Sequence, residues 1–313
     1  MRRTFTDLVT AVQVSPDGRL LAIADDAGLV RFVNLATWSR VGNDVNLGAP
    51  VATRAMSFSP DGRRLMVVVV EPSRSTLEAI DVTSRQARKL LVWQTPTATP
   101  PLGSAGVAYS PDGRSIAVSL IRETDFGGVP SAARVLVLHP DTGRVRWERP
   151  YPKSSTIQEE SHVAFMPNGV LLTSAQHGNT ILWNPATGRI LRQYPIGGLP
   201  AISTDGSEVA LGRNTPFADP ISSAWVTVLN LRTGHFRTLG AGLSNAWIRG
   251  ISFIAGDSEI VAEAFDGVHV WNVAPPGTMD ESFVAHGYES VMAVDPGRTT
   301  AFIGSQDGSV PAS

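Results

Sequence analysis

The chain has 313 residues, a formal net charge of −2, and 42% apolar against 17% charged residues, so it can bury a large core and is no disordered polyelectrolyte. Basic and acidic residues are mixed along it, which argues against a clustered cationic surface for nucleic acid or anionic membrane. The absence of cysteine excludes disulfide frameworks and thiolate metal centres.

The opening stretch MRRTFTDLVTAVQV has two arginines but no apolar run of export-signal length behind them. The longest aliphatic run, Leu65 to Val70, is too short to span a bilayer and reads as a buried strand. A cytoplasmic location is therefore expected.

Taken in chain order, one unit keeps returning. An alternating run (AVQV) leads into Ser15-Pro16-Asp17-Gly18, and the apolar run RLLAIA follows. The same grammar recurs at 59–62 and 110–113 as SPDG, then more loosely as MPNG at 166–169, STDG at 203–206, IAGD at 254–257 and VDPG at 294–297. Proline sets φ and glycine accepts a positive φ without steric cost, so each copy is a tight turn between two strands. A second hairpin follows in most units, as in LEAIDVTSR, VLVLHPDTGRVRW and TILWNPATGRILRQY, usually turning at Thr-Gly.

Each unit thus reads as four antiparallel strands, and repetition at forty-odd residues is the mark of a propeller. The expected architecture is an all-β, seven-bladed β-propeller of four-stranded antiparallel blades with an incomplete last blade. Its blades fall at about 8–48, 52–95, 105–152, 161–196, 199–242, 248–285, and 289–313 completed by 1–6. Pro311 removes a ladder donor from the last unit, so that blade is expected to be the least stable.

These residues also carry a family resemblance. The chain resembles bacterial WD-repeat proteins over essentially its full length. Trp183-Asn184 and Trp271-Asn272 stand where that family has Trp-Asp, and Asp25, Asp266 and Asp307 lie near the turn between second and third strands, where it often places aspartate. The family's Gly-His before the first strand is essentially missing. The Arg-rich and Ala-rich SPDGR style is similar to the WD arrays of actinobacterial signalling and transcriptional regulators. That resemblance implies a sensing or regulatory portion whose effector, an NTPase or transcriptional-regulator domain, is not in this chain.

Strand alternation sorts the connections. The short turns all fall at one end of the blades. The long connections, 95–105, 122–133, 151–160, 213–224 and 241–248, all fall at the other. Long loops on a rigid scaffold usually carry binding, and aromatic residues and arginine are the usual anchors of protein interfaces. The candidate partner-binding residues are therefore Arg122, Asp125, Phe126, Tyr151, Lys153, Glu159, Phe217, Asp219, Trp247 and Arg249. The competing reading is that Phe126, Phe217 and Trp247 only pin their own loops.

Recognisable catalytic motifs are missing: no phosphate loop, no nucleophile elbow and no zinc helix. Six histidines never occur at ligand spacing, and Glu159-Glu160, adjacent in an extended segment, point apart. Trp38, Trp93, Trp147, Trp183 and Trp271 read as packing between blades, and Arg63-Arg64 as solubility charge in a turn. The expectation is a non-catalytic protein-interaction or sensor scaffold with protein partners, no cofactor and no metal. The alternative is a metal-dependent propeller hydrolase or lactonase with Asp25, Asp266 or Asp307 at the central channel.

Overall fold

In the computed structural model, the described residues are 8–71, 74–94, 105–120, 134–152, 161–176, 178–214, 223–244, 247–264, 266–274, 279–283 and 290–305. They form antiparallel sheets that follow one another along the chain, each a simple meander. Six sheets have at least four strands, over residues 9–46, 51–94, 105–150, 161–194, 199–244 and 248–283. The seventh has two, Ser290–Val294 and Ala301–Ser305. In sheet 1 the outer strand is split into Ser39–Arg40 and Val45–Asn46, both paired with Leu29–Asn34.

The architecture is an all-β propeller, and its core shows why. Each sheet is apolar on both faces, so it must be covered on both. Seven buried clusters do this, each drawn from two neighbouring sheets. Phe32 and Val67 meet between sheets 1 and 2, Leu77 and Leu136 between 2 and 3, and Val137 and Ile181 between 3 and 4. Leu172 packs with Leu211 between 4 and 5, and Val228 with Ile260 between 5 and 6. Val261 and Val268 meet Ile303 between 6 and 7, and Leu21 meets Phe302 between 7 and 1. The cycle closes on itself. Among the described residues, the buried members of the seam between sheets 6 and 7 are Val261, Val268 and Ile303.

Tryptophans reinforce these seams. Trp147 stacks on Trp183 across sheets 3 and 4 with centroids 6.1 Å apart, and Trp38 leans on Phe302 across sheets 1 and 7 at 6.0 Å. The Trp183 indole N–H donates to Thr173 Oγ1 at 2.8 Å. At the matching place in sheet 6, Ala262 stands where Thr173 stands in sheet 4, and among the described residues the buried Trp271 Nε1 has no hydrogen-bond partner.

The SPDG turns share one hydrogen-bond device. Ser15 Oγ donates to Asp17 Oδ1 at 2.6 Å and accepts from Leu20 N at 2.9 Å, while Asp17 Oδ1 also accepts from Arg19 N at 3.1 Å. Ser59 with Asp61, and Ser110 with Asp112, repeat it, each at 2.6 Å. The serine hydroxyl is the main reason that Asp17, Asp61 and Asp112 are held below the usual carboxylate range. Successive turns also touch around the ring: a Cβ on Gly62 would lie 3.8 Å from Pro16 Cδ, and one on Gly113 3.6 Å from Pro60 Cδ.

Arg64 corrects an expectation. Rather than standing free as solubility charge, it forms an ion pair with Asp141 of sheet 3, tying two blades on the turn side.

Two outcomes follow from this packing. Ala262→Ser places a hydroxyl beside Trp271 Nε1, and satisfying that donor is expected to add about 1 kcal/mol, read as a rise of about 2 °C in the thermal midpoint. For the turns, carboxylates depressed in the folded state stabilise it fully above their unfolded value of 3.8 and lose that contribution as pH falls through the lower folded values. The triple variant Asp17→Asn, Asp61→Asn, Asp112→Asn should therefore show a flatter midpoint-against-pH curve below pH ~4 than the parent chain.

Candidate functional site

The first strand of each sheet is its inner strand, and these strands line a central channel. Their ladder partners occupy one edge and their side chains alternate into the two neighbouring seams. A regular strand therefore offers the channel little more than its free backbone edge. Irregularities change that. In sheet 6 a bulge falls between Ile248 and Gly250. Ile248 faces sheet 5, where a Cβ on Gly212 would meet its Cγ2 at 2.6 Å, and Gly250 faces sheet 7, where its own Cβ would meet Met292 Cβ at 2.5 Å. Arg249, between them, sits in the bulge, where side chains are commonly re-aimed.

Sheet 1 has the same bulge at Thr10, flanked by Val9 in one seam and Ala11 in the other. Sheet 2 has a larger one between Val51 and Met56, within which Arg54 takes a φ of 62°. A left-handed arginine is uncommon and costs about 1–2 kcal/mol. Here it sends the guanidinium away from its own blade: Arg54 Nη1 donates to Arg249 O at 2.8 Å, from sheet 2 to sheet 6, which are not neighbours in the ring. Arg54 therefore spans the channel toward the end that the long connections occupy.

The opposite, turn-side mouth is also spanned. Arg298, at a φ of 54°, donates through Nη1 to Asp257 Oδ1 at 2.5 Å and through Nη2 to Ile202 O at 2.9 Å. Asp257 in turn accepts from Thr204 N at 2.6 Å and from Thr204 Oγ1 at 3.1 Å. Sheets 5, 6 and 7 are thus tied through one carboxylate. A cavity of about 420 Å³ lies in this part of the channel, lined by Gln13, Ser252, Met292, Asp295 and Arg298 among others.

Of the residues singled out in the sequence, Arg122, Asp125, Phe126, Lys153, Glu159, Phe217 and Asp219 lie outside the described residues. Tyr151 and Trp247 are interior, at 5% and 6% exposure, which corrects their reading as accessible anchors. Tyr151 donates its hydroxyl to Asn179 O at 2.5 Å and packs in the seam between sheets 3 and 4, and burial pushes its phenol well up. Arg249 stands on the channel rim rather than on an outer loop. Asp25 accepts from Leu29 N at 2.8 Å, and Asp266 meets His269 Nε2 at 2.9 Å, each within its own turn; Asp307 is outside the described residues.

Arg54, Asp257 and Arg298 were not singled out from the sequence. A signal for one was present: Arg54 and Arg249 each stand five residues before the first residue of their turn. Asp257 can be tested directly. Asp257→Asn tolerates the 69° φ but removes the charge from its bonds to Arg298 and Thr204. Loss of about 1–2 kcal/mol is expected, seen as a fall of about 2–4 °C in the thermal midpoint.

Two solved structures share the fold along the whole chain. Hydrazine synthase of Kuenenia stuttgartiensis matches with a TM-score of 0.75 at 15% identity, covering 100% of this chain and 97% of that one. The β-propeller domain of Myceliophteria thermophila Cps50 (Swd1) matches with a TM-score of 0.71 at 14% identity, covering 100% and 98%. At such identities the likeness concerns the fold alone. No curated protein matches the chain in sequence. A family model, however, matches residues 10–237, well over half of the chain: it is that of the outer membrane protein assembly factor BamB, and to this family the chain belongs.

Proposed function

We propose that this propeller is a non-catalytic interaction module that receives a protein partner on the face carrying its long connections. One observation carries the reading. The strand ends flanking 95–104, 121–133, 153–160 and 215–222 all open at the same end of the blades, whereas the opposite end is a collar of short, internally hydrogen-bonded turns. A rigid scaffold with variable-length segments gathered on one face is how recognition surfaces are commonly built. The family's named member is an assembly factor, which fits an interaction role better than a catalytic one. Fold likeness to an enzyme such as hydrazine synthase does not bear on chemistry at 15% identity.

We take the ring as seven-bladed, with residues 1–6 expected to complete the last unit; residues 1–7 and 306–313 lie outside the described residues. The resemblance to WD arrays of actinobacterial regulators extends the role to sensing for an effector domain outside this chain. The working location is the cytoplasm; among the described residues no helix is long and apolar enough to cross a membrane.

Photo-crosslinking residues introduced at Phe126 and Phe217 should capture one and the same partner, while the same probe at Asn168, in the short turn of sheet 4, should capture none. Capture from Asn168 alone, or no common partner from the two loop sites, refutes the proposal. Trp247 is unsuitable as a probe site, since replacing a buried indole costs about 3–5 kcal/mol through lost packing.

A further inference from the structure

The seam between sheets 4 and 5 ends at the outer rim of the ring in a corner without negative charge. Aspartate and glutamate are absent from 161–204, which includes all of sheet 4, and from 220–256, which includes the last two strands of sheet 5. Arginine is not absent: Arg189, Arg192, Arg232 and Arg237 stand on the outer strands or at their turns. Arg237 is accounted for on the sheet 6 side, with Nη2 on Val273 O at 2.7 Å and Nη1 3.5 Å from Glu208.

Strand register sets the walls of this corner. The outer strand of sheet 4, Ile190–Tyr194, places Arg192 opposite Leu182 and Tyr194 in the buried cluster of the seam. The outer strand of sheet 5, Phe236–Ser244, places Phe236 opposite Leu229, a member of the same cluster. The walls are tied together. Arg192 Nη1 donates to Leu231 O and to Arg232 O, each at 2.9 Å, and the Tyr194 hydroxyl also donates to Leu231 O. A Cβ on Gly234 of that turn would lie 3.8 Å from Arg192 Nη2 and from Tyr194 Cε1.

Beyond this tie the seam opens. Phe236 shares a face with the fully buried Leu229, yet it is 53% exposed, so the neighbouring sheet no longer covers it. Leu191, in the bulge between Ile190 and Arg192, is 52% exposed. Among the described residues these are the two most exposed large apolar side chains. One exposed apolar residue is ordinary, whereas two on adjoining blades, with arginine between them, have the make-up of an interface core. Arg232 and Arg189 are exposed, and among the described residues no hydrogen bond or ion pair engages either guanidinium. With no carboxylate on either hairpin, their field is not neutralised locally.

We propose that this outer groove is a docking surface for an extended acidic segment of a protein partner, its apolar side chain seated against Leu191 and Phe236 and its carboxylates facing Arg232 and Arg189. Charge complementarity selects the acidic segment. Each of the two strands is the last of its sheet, so one row of backbone N–H and C=O groups lies unpaired, which suits an extended chain better than a lipid surface. The groove lies on the side of the ring, so the inference stands apart from the partner assigned to the face of long connections.

The test is selection from a displayed library of random short peptides on the whole chain, followed by fluorescence anisotropy of the enriched peptides. Sequences that combine aspartate or glutamate with a large apolar residue are expected, and their affinity should fall as sodium chloride screens the exposed charges. Arg232→Glu and Leu191→Gln, both at exposed positions, should each weaken binding about tenfold while the thermal midpoint stays within about 1 °C. Arg63→Glu makes the same charge reversal in the turn of sheet 2 and should leave binding unchanged. Selection without acidic peptides overturns the proposal, and so does affinity undiminished in both groove variants. In that event, adsorption to phosphatidylglycerol vesicles that Arg232→Glu abolishes assigns the groove to a membrane surface. A dimer that Arg232→Glu dissociates in the ultracentrifuge assigns it instead to a second copy of this chain.

Discussion

Everything in this molecule depends on sheets that are apolar on both faces. Fully burying one valine, leucine or isoleucine contributes about 1.5–3 kcal/mol, and that is realised only when a neighbour covers it. A lone four-stranded sheet would leave the apolar side chains of both faces wet. Wedging the sheets about an axis covers both faces of every sheet, and the buried clusters fall one to each seam. Close approach at the inner ends is bought with glycine. At Gly212, Gly250 and Gly304 a Cβ would come within 2.6 Å of the neighbouring sheet. Stability is therefore a property of the closed cycle rather than of any blade.

The same constraint decides what can reach the channel. Regular alternation commits inner-strand side chains to one seam or the other, so the channel is addressed by residues that break the alternation. Arg249 and Thr10 sit at bulges in inner strands, and Arg54 reaches across from a left-handed backbone position. Arg298 does so from a turn, again at positive φ. Two of the strained residues in the chain are thus cross-channel arginines, and the strain has a visible return in hydrogen bonds to distant blades. On the turn side, Arg298 is paired with Asp257.

Fold and function are loosely coupled in such an architecture. The chain shares its path with two proteins of unlike description at 15% and 14% identity, because wedge packing asks only for alternating apolar residues and competent turns. Membership of the BamB family narrows ancestry, while the role of this particular chain rests on its loop face and its channel.

By itself the sequence determined the repeating unit. Ser-Pro-Asp-Gly between two apolar runs encodes a hairpin locally, through proline's fixed φ, glycine's positive φ and a serine–aspartate hydrogen bond two residues apart, and the meander of four antiparallel strands follows. It also determined that the long connections share one end of the blades, since strand direction alternates. What tertiary structure decided is which side chains are reachable. Tyr151 and Trp247 resembled interface anchors as letters, yet they fill seams, because burial depends on a neighbouring sheet that local sequence does not mention. Arg54, Asp257 and Arg298 looked like ordinary surface charge, and only ring closure brings them to partners between 41 and 195 residues away. Local chemistry writes the strands and turns; distances across the axis exist only once the circle is closed.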